Sequence, residues 1–513
     1  MTTIEPHNAV IEKIFAPSRE GFDRLIGDLQ SEGALALTHS ELENQLWSEG
    51  MALLRQLFQD HLDLRSVREV RHASLCGQDG VSRTHRRPSS RNLETVFGSV
   101  TVSRLEYRAP GHDSLHPLDA ALNLSDNLFS HGVSRRIAES AAQGAYETAI
   151  ETLAATSGAS VAKRQAETLA IKAAVDFDAF YAQRAAPPTG RESILVLTVD
   201  GKGIVMRQED LREGTRKSAQ KGSRKLKHRL AKGEKPNRKR MSTVAGVYTI
   251  GKFIRTPADI VDDLRREKKA VNRPRPHHKR VWASVVKSPE EVIREAFAEA
   301  HSRDPHRQKT WVAVVDGNAT QLEILQRLAK EFDVQLTIVL DIIHVIEYLW
   351  KAAHAFLPDG TPDAEDWVTQ RLEKVLSGSA SHVAAGMRRS ATCQGFSPER
   401  RAPIDKCADY LLNHVAFLHY DEYLASGIPI ASGVIEGACR HLIKDRMDIT
   451  GARWRLNGAE AVLRLRALCS SGDFDAYWRF HEVQEAKRNH AAIFALPITP
   501  QTPQPPALEA SAS

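Results

Sequence analysis

The chain has 513 residues, 42% hydrophobic and 26% charged, with 70 Lys and Arg against 64 Asp and Glu. Five scattered cysteines with no Cys-x-x-Cys pair exclude a disulfide framework and a cysteine zinc site. The most apolar stretch, Val334 to Trp350, carries Asp341, His344 and Glu347 and is too short to span a bilayer, which excludes a membrane protein.

The length suits roughly two to four domains. The net charge of +6 is unevenly spread. From Arg212 to Arg240, thirteen Lys and Arg meet two acids, Glu213 and Glu234, a local surplus of eleven that leaves the remainder at −5. Such concentration marks a polyanion-binding surface; a solvated loop is the plain alternative. The N-terminus lacks the charged and apolar regions of a signal peptide, so a reducing cytoplasm, in association with the nucleoid, is the expected location.

In chain order, Leu42, Leu46, Trp47, Met51, Leu54 and Leu57 recur at three- and four-residue spacing and predict one helical face. Alternation from Leu93 to Val102 around Gly98-Ser99 predicts a β-hairpin, flanked by Arg83, Arg86, Arg87, Arg91, Arg104 and Arg108. Leu115 to Asp119 reads as irregular, and Val133 to Ala145 as helical. Glu147 to Ala155, a break at Thr156 to Gly158, and Val161 to Ala170 capped by Ser160 outline a helix-turn-helix with Lys163 and Arg164 early in its second helix.

From Ile194 the expected order is strand, strand, strand, helix, strand, helix, strand: Ile194–Val199, Ser242–Ile250, Val281–Val286, Glu290–His301, Trp311–Val315, Leu322–Phe332 and Val334–Leu340. That succession is the order of a ribonuclease H-like sheet. The first and fourth strands run into the same dipeptide, Asp200-Gly201 and Asp316-Gly317. Glu436 opens a later helix capped by Ser432. Strand-end aspartates with a helical glutamate form a ligand set for two hard cations, Mg²⁺ or Mn²⁺, that promote displacement at phosphorus. Taken singly, each has a plain reading: Asp-Gly forms turns, and an acid is favourable in a first helical turn. Arg440 and Lys444 follow Glu436 at i+4 and i+8, and Arg453, Trp454 and Arg455 interleave cations with an aromatic suited to nucleic acid. Asp341 and His344 fit a helix cap and a satisfied histidine at least as well as a functional pair. The tail from Thr499 is Pro-, Ala- and Ser-rich and reads as disordered.

Val199-Asp-Gly-Lys-Gly-Ile-Val-Met-Arg207, Val315-Asp-Gly-Asn318, Asp341 to Trp350, and Ser432 to Met447 ending in Thr450 to Trp454 resemble a bacterial insertion-sequence transposase of the DDE type, most similar to the Kra-type family. Asp119 to Leu124 and Asp176 to Tyr181 also match. The resemblance implies an α/β fold: a ribonuclease H-like catalytic core with an all-helical insertion, preceded by a mainly helical DNA-binding region. It implies cleavage at terminal inverted repeats and strand transfer, with Asp200, Asp316 and Glu436 as the metal-binding catalytic triad. Ser432 stands where some related families carry an arginine before the glutamate.

The expected divisions are 1–130 (helices and hairpin), 131–190 (helix-turn-helix-like), 191–345 (core, first part), 346–427 (helical insertion), 428–490 (glutamate helix and C-terminal helices) and 491–513 (tail). Expected partners are double-stranded DNA, both element ends and target, and further copies of the chain as a homodimer or higher oligomer. Expected DNA contacts are Lys163, Arg164, Lys202, Arg224, Lys225, Lys227, Arg238, Lys239, Arg240, Arg440, Lys444, Arg453, Trp454 and Arg455. The competing classes are a DNA-binding regulator on the same scaffold and a structure-selective nuclease without strand transfer.

Overall fold

The computed structural model describes residues 5–187, 190, 193–221, 238–265, 272–449 and 451–495, and the chain divides into two units, Met1–Ala182 with Phe474–Ser513, and Gln183–Asp473. The tail from Thr499, Thr450, and the expected contacts Arg224, Lys225 and Lys227 lie outside the described residues.

In the second unit, near-continuous runs of Val, Ile and Leu form the strands of a sheet buried on both faces. These are β1 (Ile194–Val205), β2 (Lys239–Ile250), β3 (His277–Ser284), β4 (Trp311–Val315) and β5 (Leu336–Leu340). Their order is β3-β2-β1-β4-β5; β1, β2 and β3 pair antiparallel, whereas β4 and β5 run parallel to β1. Helices α1 (Pro289–Arg303) and α2 (Ala319–Glu331) connect β3 to β4 and β4 to β5, and α3 (Ile342–Phe356) leaves β5. Serine at the N-cap of α1, with Glu291 closing a capping box and Pro289 in the first turn, fixes where that helix starts.

Residues 346–427 are helical as expected, in Pro362–Leu376, Ala380–Cys393, Pro398–Asn413 and Tyr420–Ala425. They share one apolar core with the sheet: Ile194, Val196, Val312, Val314 and Val339 belong to the same cluster as Leu349, Leu372, Met387, Ile404 and Leu411. Each such side chain contributes about 1.5–3 kcal/mol by leaving water, so these helices are bound to the sheet through a common core. Gly433–Ala438 (α4) and Leu456–Ser471 (α5) complete the unit, α5 packing on β3.

One strand departs from its expected bounds in a way that matters. β1 does not stop at Asp200-Gly201; it runs to Val205, because β2 keeps pairing with it as far as Val205↔Lys239. The parallel ladder with β4 ends earlier, at Val199↔Val315. Asp200 therefore sits inside one hydrogen-bonded edge and at the open end of the other. Asp316-Gly317 does end its strand, with Gly317 at φ +88. A Cβ there would lie 2.7 Å from Leu340 Cδ1, so the position requires glycine twice over.

In the first unit, the helix His39–Val67 leaves Leu46, Trp47, Leu54 and Leu57 largely exposed. The hairpin pairs His85–Thr95 with Gly98–Arg108. Its two-residue connection is Val96-Phe97 instead of the expected Gly98-Ser99, since Thr95 pairs with Gly98 and its hydroxyl donates to the Gly98 carbonyl at 2.7 Å. The flanking arginines are mostly spent on internal acids: Arg83 on Asp79, Arg87 and Arg108 on Glu106, Arg104 and Arg91 on Asp119. Asp119 lies in a short helix, Pro117–Ala121, where irregular chain was expected.

Helices His131–Gln143, Tyr146–Thr156 and Lys163–Ala173 pack around Val133, Ile137, Leu153, Ala166 and Leu169. The third starts later than expected. Ser160 is not its cap; the Ser160 N–H is taken by Glu94, and the Gln165 side chain accepts the N–H of Ala162 instead. Phe474–Ala486 belongs to this unit and not with the glutamate helix, correcting the expected 428–490 division. Buried Asp176 explains it: its carboxylate binds His481 Nδ1 at 2.7 Å and Arg488 at 2.9 Å, while Tyr477 donates to the Ala173 carbonyl at 2.6 Å.

Candidate active site

Register builds the centre of the site. Val199 pairs with Val315 and Val315 with Leu340, so the next residues, Asp200, Asp316 and Asp341, form a row just past the ends of the two parallel ladders. Adjacent strands lie about 4.8 Å apart, which brings three carboxylates onto one sheet edge.

Each aspartate is held differently. Asp200 accepts the Gly201 N–H on one oxygen at 2.6 Å and the Cys439 thiol on the other at 3.0 Å. Burial, followed by the Asp200 charge, pushes that thiol well above its ordinary range. Asp316 accepts the Asn318 N–H at 2.9 Å. Its turn is braced from the insertion, where Tyr410 donates to the Asp316 carbonyl and His414 Nε2 meets the Gly317 carbonyl, both at 2.9 Å. Asp341 caps α3 by accepting the Ile343 N–H at 2.9 Å, and its second oxygen accepts the Ser432 N–H at 3.0 Å.

Ser432 carries the fourth carboxylate to this edge. Its hydroxyl does not cap α4, as expected, but meets the Thr198 hydroxyl at 2.7 Å. One turn later stands Glu436, whose carboxyl is pushed up by burial, then by the charges of Asp341, Glu347 and Asp200, with His344 opposing. Asp341, only 2% exposed, is likewise pushed up by burial, with Asp316 adding to the effect. Among the described residues, no lysine or arginine forms an ion pair with Asp200, Asp316, Asp341 or Glu436. An all-oxygen donor set with no cationic side chain to neutralise it is what a hard divalent cation requires.

Spacing limits how cations fit. Oxygen ligands of one small cation lie within roughly 4.2 Å of one another, whereas ligands divided between two ions about 4 Å apart spread wider. Among the described residues, the single His, Cys, Asp or Glu group converging within 4.8 Å is Asp176, His481 and Glu485 in the first unit. Arg488 contacts both carboxylates there, so that cluster is an ion-pair network complete in itself. Asp200, Asp316 and Glu436 do not converge so tightly.

The expected DNA contacts separate into two groups. Lys202, Arg238, Arg440, Lys444, Arg453 and Arg455 are exposed in the second unit, as is Arg164 in the first. Lys163 is exposed but paired with Glu147. Lys239 is half-buried, and Arg240 donates to the carbonyls of Val285 at 2.9 Å and Asp210 at 3.2 Å. Trp454 is 8% exposed: its indole donates to the Met447 carbonyl and the Arg446 guanidinium covers its ring at 4.8 Å. It is a core residue, closed to a stacking base. The expected common face of Glu436, Arg440 and Lys444 is also broken, because Cys439–Lys444 is a π-helix; Arg440 stands 3.6 Å from Asp445.

Sequence reasoning passed over Cys439, although its spacing three residues after Glu436 on a helix was a usable signal. Tyr410 and His414 gave none, being 94 and 97 residues from the turn they brace. Among the described residues, no helix is long and apolar enough to cross a membrane. No family model matches the chain, and no curated protein matches it.

Proposed function

We propose that the second unit is a divalent-cation-dependent nuclease and strand-transfer domain, and that the chain is a DDE-type DNA transposase. The sheet order β3-β2-β1-β4-β5, with the first three strands antiparallel and the last two parallel to β1, is that of a ribonuclease H-like core, and supports reading the unit as one. One observation carries the assignment: β1, β4 and β5 share a register that sets Asp200 beside Asp316, while Ser432, one turn before Glu436, is hydrogen-bonded to Asp341 and Thr198.

Asp200 on the central strand, Asp316 and Glu436 are the residues that would hold Mg²⁺. Such ions, when bound, lower the pKa of water or a DNA 3′-hydroxyl and offset charge on the leaving oxygen. The protein's own work is orientation. β1 fixes Asp200 through Gly201 and Cys439, and Tyr410 and His414 fix the turn carrying Asp316. Exposed Lys202, Arg440, Lys444, Arg453 and Arg455 supply positive charge for the DNA backbone, and Arg164 does so from the helix-turn-helix-like region. Synapsis of two ends calls for at least a dimer.

The test incubates the full chain with labelled element-end DNA and Mg²⁺. Cleaved and joined product is the expected result, and Asp200→Asn or Asp316→Asn abolishes both while end binding persists. Cleavage without joining would identify a structure-selective nuclease. Binding without cleavage under Mg²⁺ or Mn²⁺ would identify a DNA-binding regulator.

A further inference from the structure

Ser432 is 1% exposed and uses all of its polar groups on the sheet and on its own helix. Its N–H donates to Asp341 Oδ2 at 3.0 Å, and its carbonyl accepts the Ile435 N–H at 3.1 Å. The hydroxyl contact with Thr198 also has a definite direction. Thr198 Oγ1 donates its single proton to the Val314 carbonyl at 2.9 Å, so Ser432 must be the donor in their 2.7 Å contact. Ser432 is thereby referenced to β1 through Thr198, to β4 through Val314 and to the end of β5 through Asp341. Glu436, whose N–H lies 3.4 Å from the Ser432 carbonyl, inherits that position. Helix α4 has only six residues and gives way to a π-helix, so it has little rigidity of its own.

We propose that Asp341 and Thr198 are positioning residues that fix where Glu436 stands relative to the aspartate row by clamping Ser432, and that Asp341 is not itself a cation ligand. Both oxygens of Asp341 are engaged by backbone N–H groups and the residue is buried, whereas Glu436 is the more exposed of the two, only partly desolvated, and free of ion pairs among the described residues. This inference rests on the cation-dependent reading above, and it separates the aspartate row into two ligands and one clamp.

The test uses the full chain with Tb³⁺ luminescence as a direct cation probe, Mn²⁺ titration of end cleavage, and thermal melting as the folding control. Thr198→Val and Ser432→Ala each remove the hydroxyl link but keep the Ser432 N–H. Both are expected to weaken Tb³⁺ binding, and to raise half-saturating Mn²⁺, by roughly tenfold, the usual size for residues that orient ligands. Cleavage is expected to return at high Mn²⁺. Asp341→Asn shows the same rescue, whereas Asp200→Asn shows none. Cation affinity unchanged in folded Thr198→Val and Ser432→Ala overturns the clamp alone. Folded Asp341→Asn that no Mn²⁺ concentration rescues makes Asp341 a ligand and also overturns it. A wild-type chain that binds neither cation overturns the functional reading, and the clamp with it.

Discussion

Glu436→Gln offers a sharp test of the candidate site, because the proposed role gives it opposite effects on stability without and with a divalent cation. In the cation-free protein, Glu436 shares its edge with Asp200 and Asp341, and no lysine or arginine among the described residues pairs with it. Like charges on such an edge, with Glu436 partly solvated, repel by about 1 kcal/mol. Its carboxyl is raised, so its contribution to stability is present below the unfolded-state value and is lost as pH rises through the folded-state value. Glu436→Gln is therefore expected to melt a few degrees above wild type near pH 7 without cation, and level with it below about pH 4. Adding Mg²⁺ at a hundred times its Kd would stabilise wild type by about 2.7 kcal/mol, and the variant by far less. Differential scanning calorimetry with EDTA or Mg²⁺ at both pH values reads all four numbers. A cation-free variant less stable than wild type near pH 7, or one that keeps the full Mg²⁺ gain, would refute the proposed crowding of charge.

Two further outcomes follow from single features. Gly317→Ala meets a positive φ and a 2.7 Å approach to Leu340, so denaturant titration should show a loss of more than about 1–2 kcal/mol; Gly201→Ala, 3.4 Å from Met241 Cε, should cost about 1 kcal/mol or less. Replacing Lys444, Arg453 and Arg455 together with glutamine should reduce the slope of log K against log salt by about 0.9 for each DNA phosphate that these side chains neutralise. An unchanged slope in fluorescence anisotropy titrations would make those cations bystanders.

The sheet was legible because strands buried on both faces read as unbroken apolar runs, and Trp311–Val315 has its observed bounds. The same dipeptide nevertheless means two things. Asp316-Gly317 is a turn with a left-handed glycine, whereas Asp200-Gly201 is extended strand, because a partner some forty residues later keeps pairing past it. No local pattern distinguishes them. Trp454 looked like a platform for a base because an aromatic between arginines has that composition. Its burial depends on Arg446, Met447 and a backbone bridge to Met206, contacts that composition does not encode. Asp341 was legible as a helix cap, and is one, but its second duty depends on Ser432, 91 residues away.

These long-range contacts explain why the insertion and the short glutamate helix belong to one device. A strand end supplies a rigid aspartate only if the turn after it is also fixed, and the turn at Asp316 is fixed from the insertion, by Tyr410 and His414. Tyr410 itself stacks on Tyr348 of α3, with ring centroids 4.0 Å apart, and α3 begins at Asp341. Asp341 then reaches Ser432 and so the helix of Glu436. The insertion, α3 and α4 thus form a continuous chain of contacts from one proposed ligand to the other, closed by β1 at Thr198. A change in the insertion that shifts Tyr410 would move Asp316 directly and Glu436 only through Asp341.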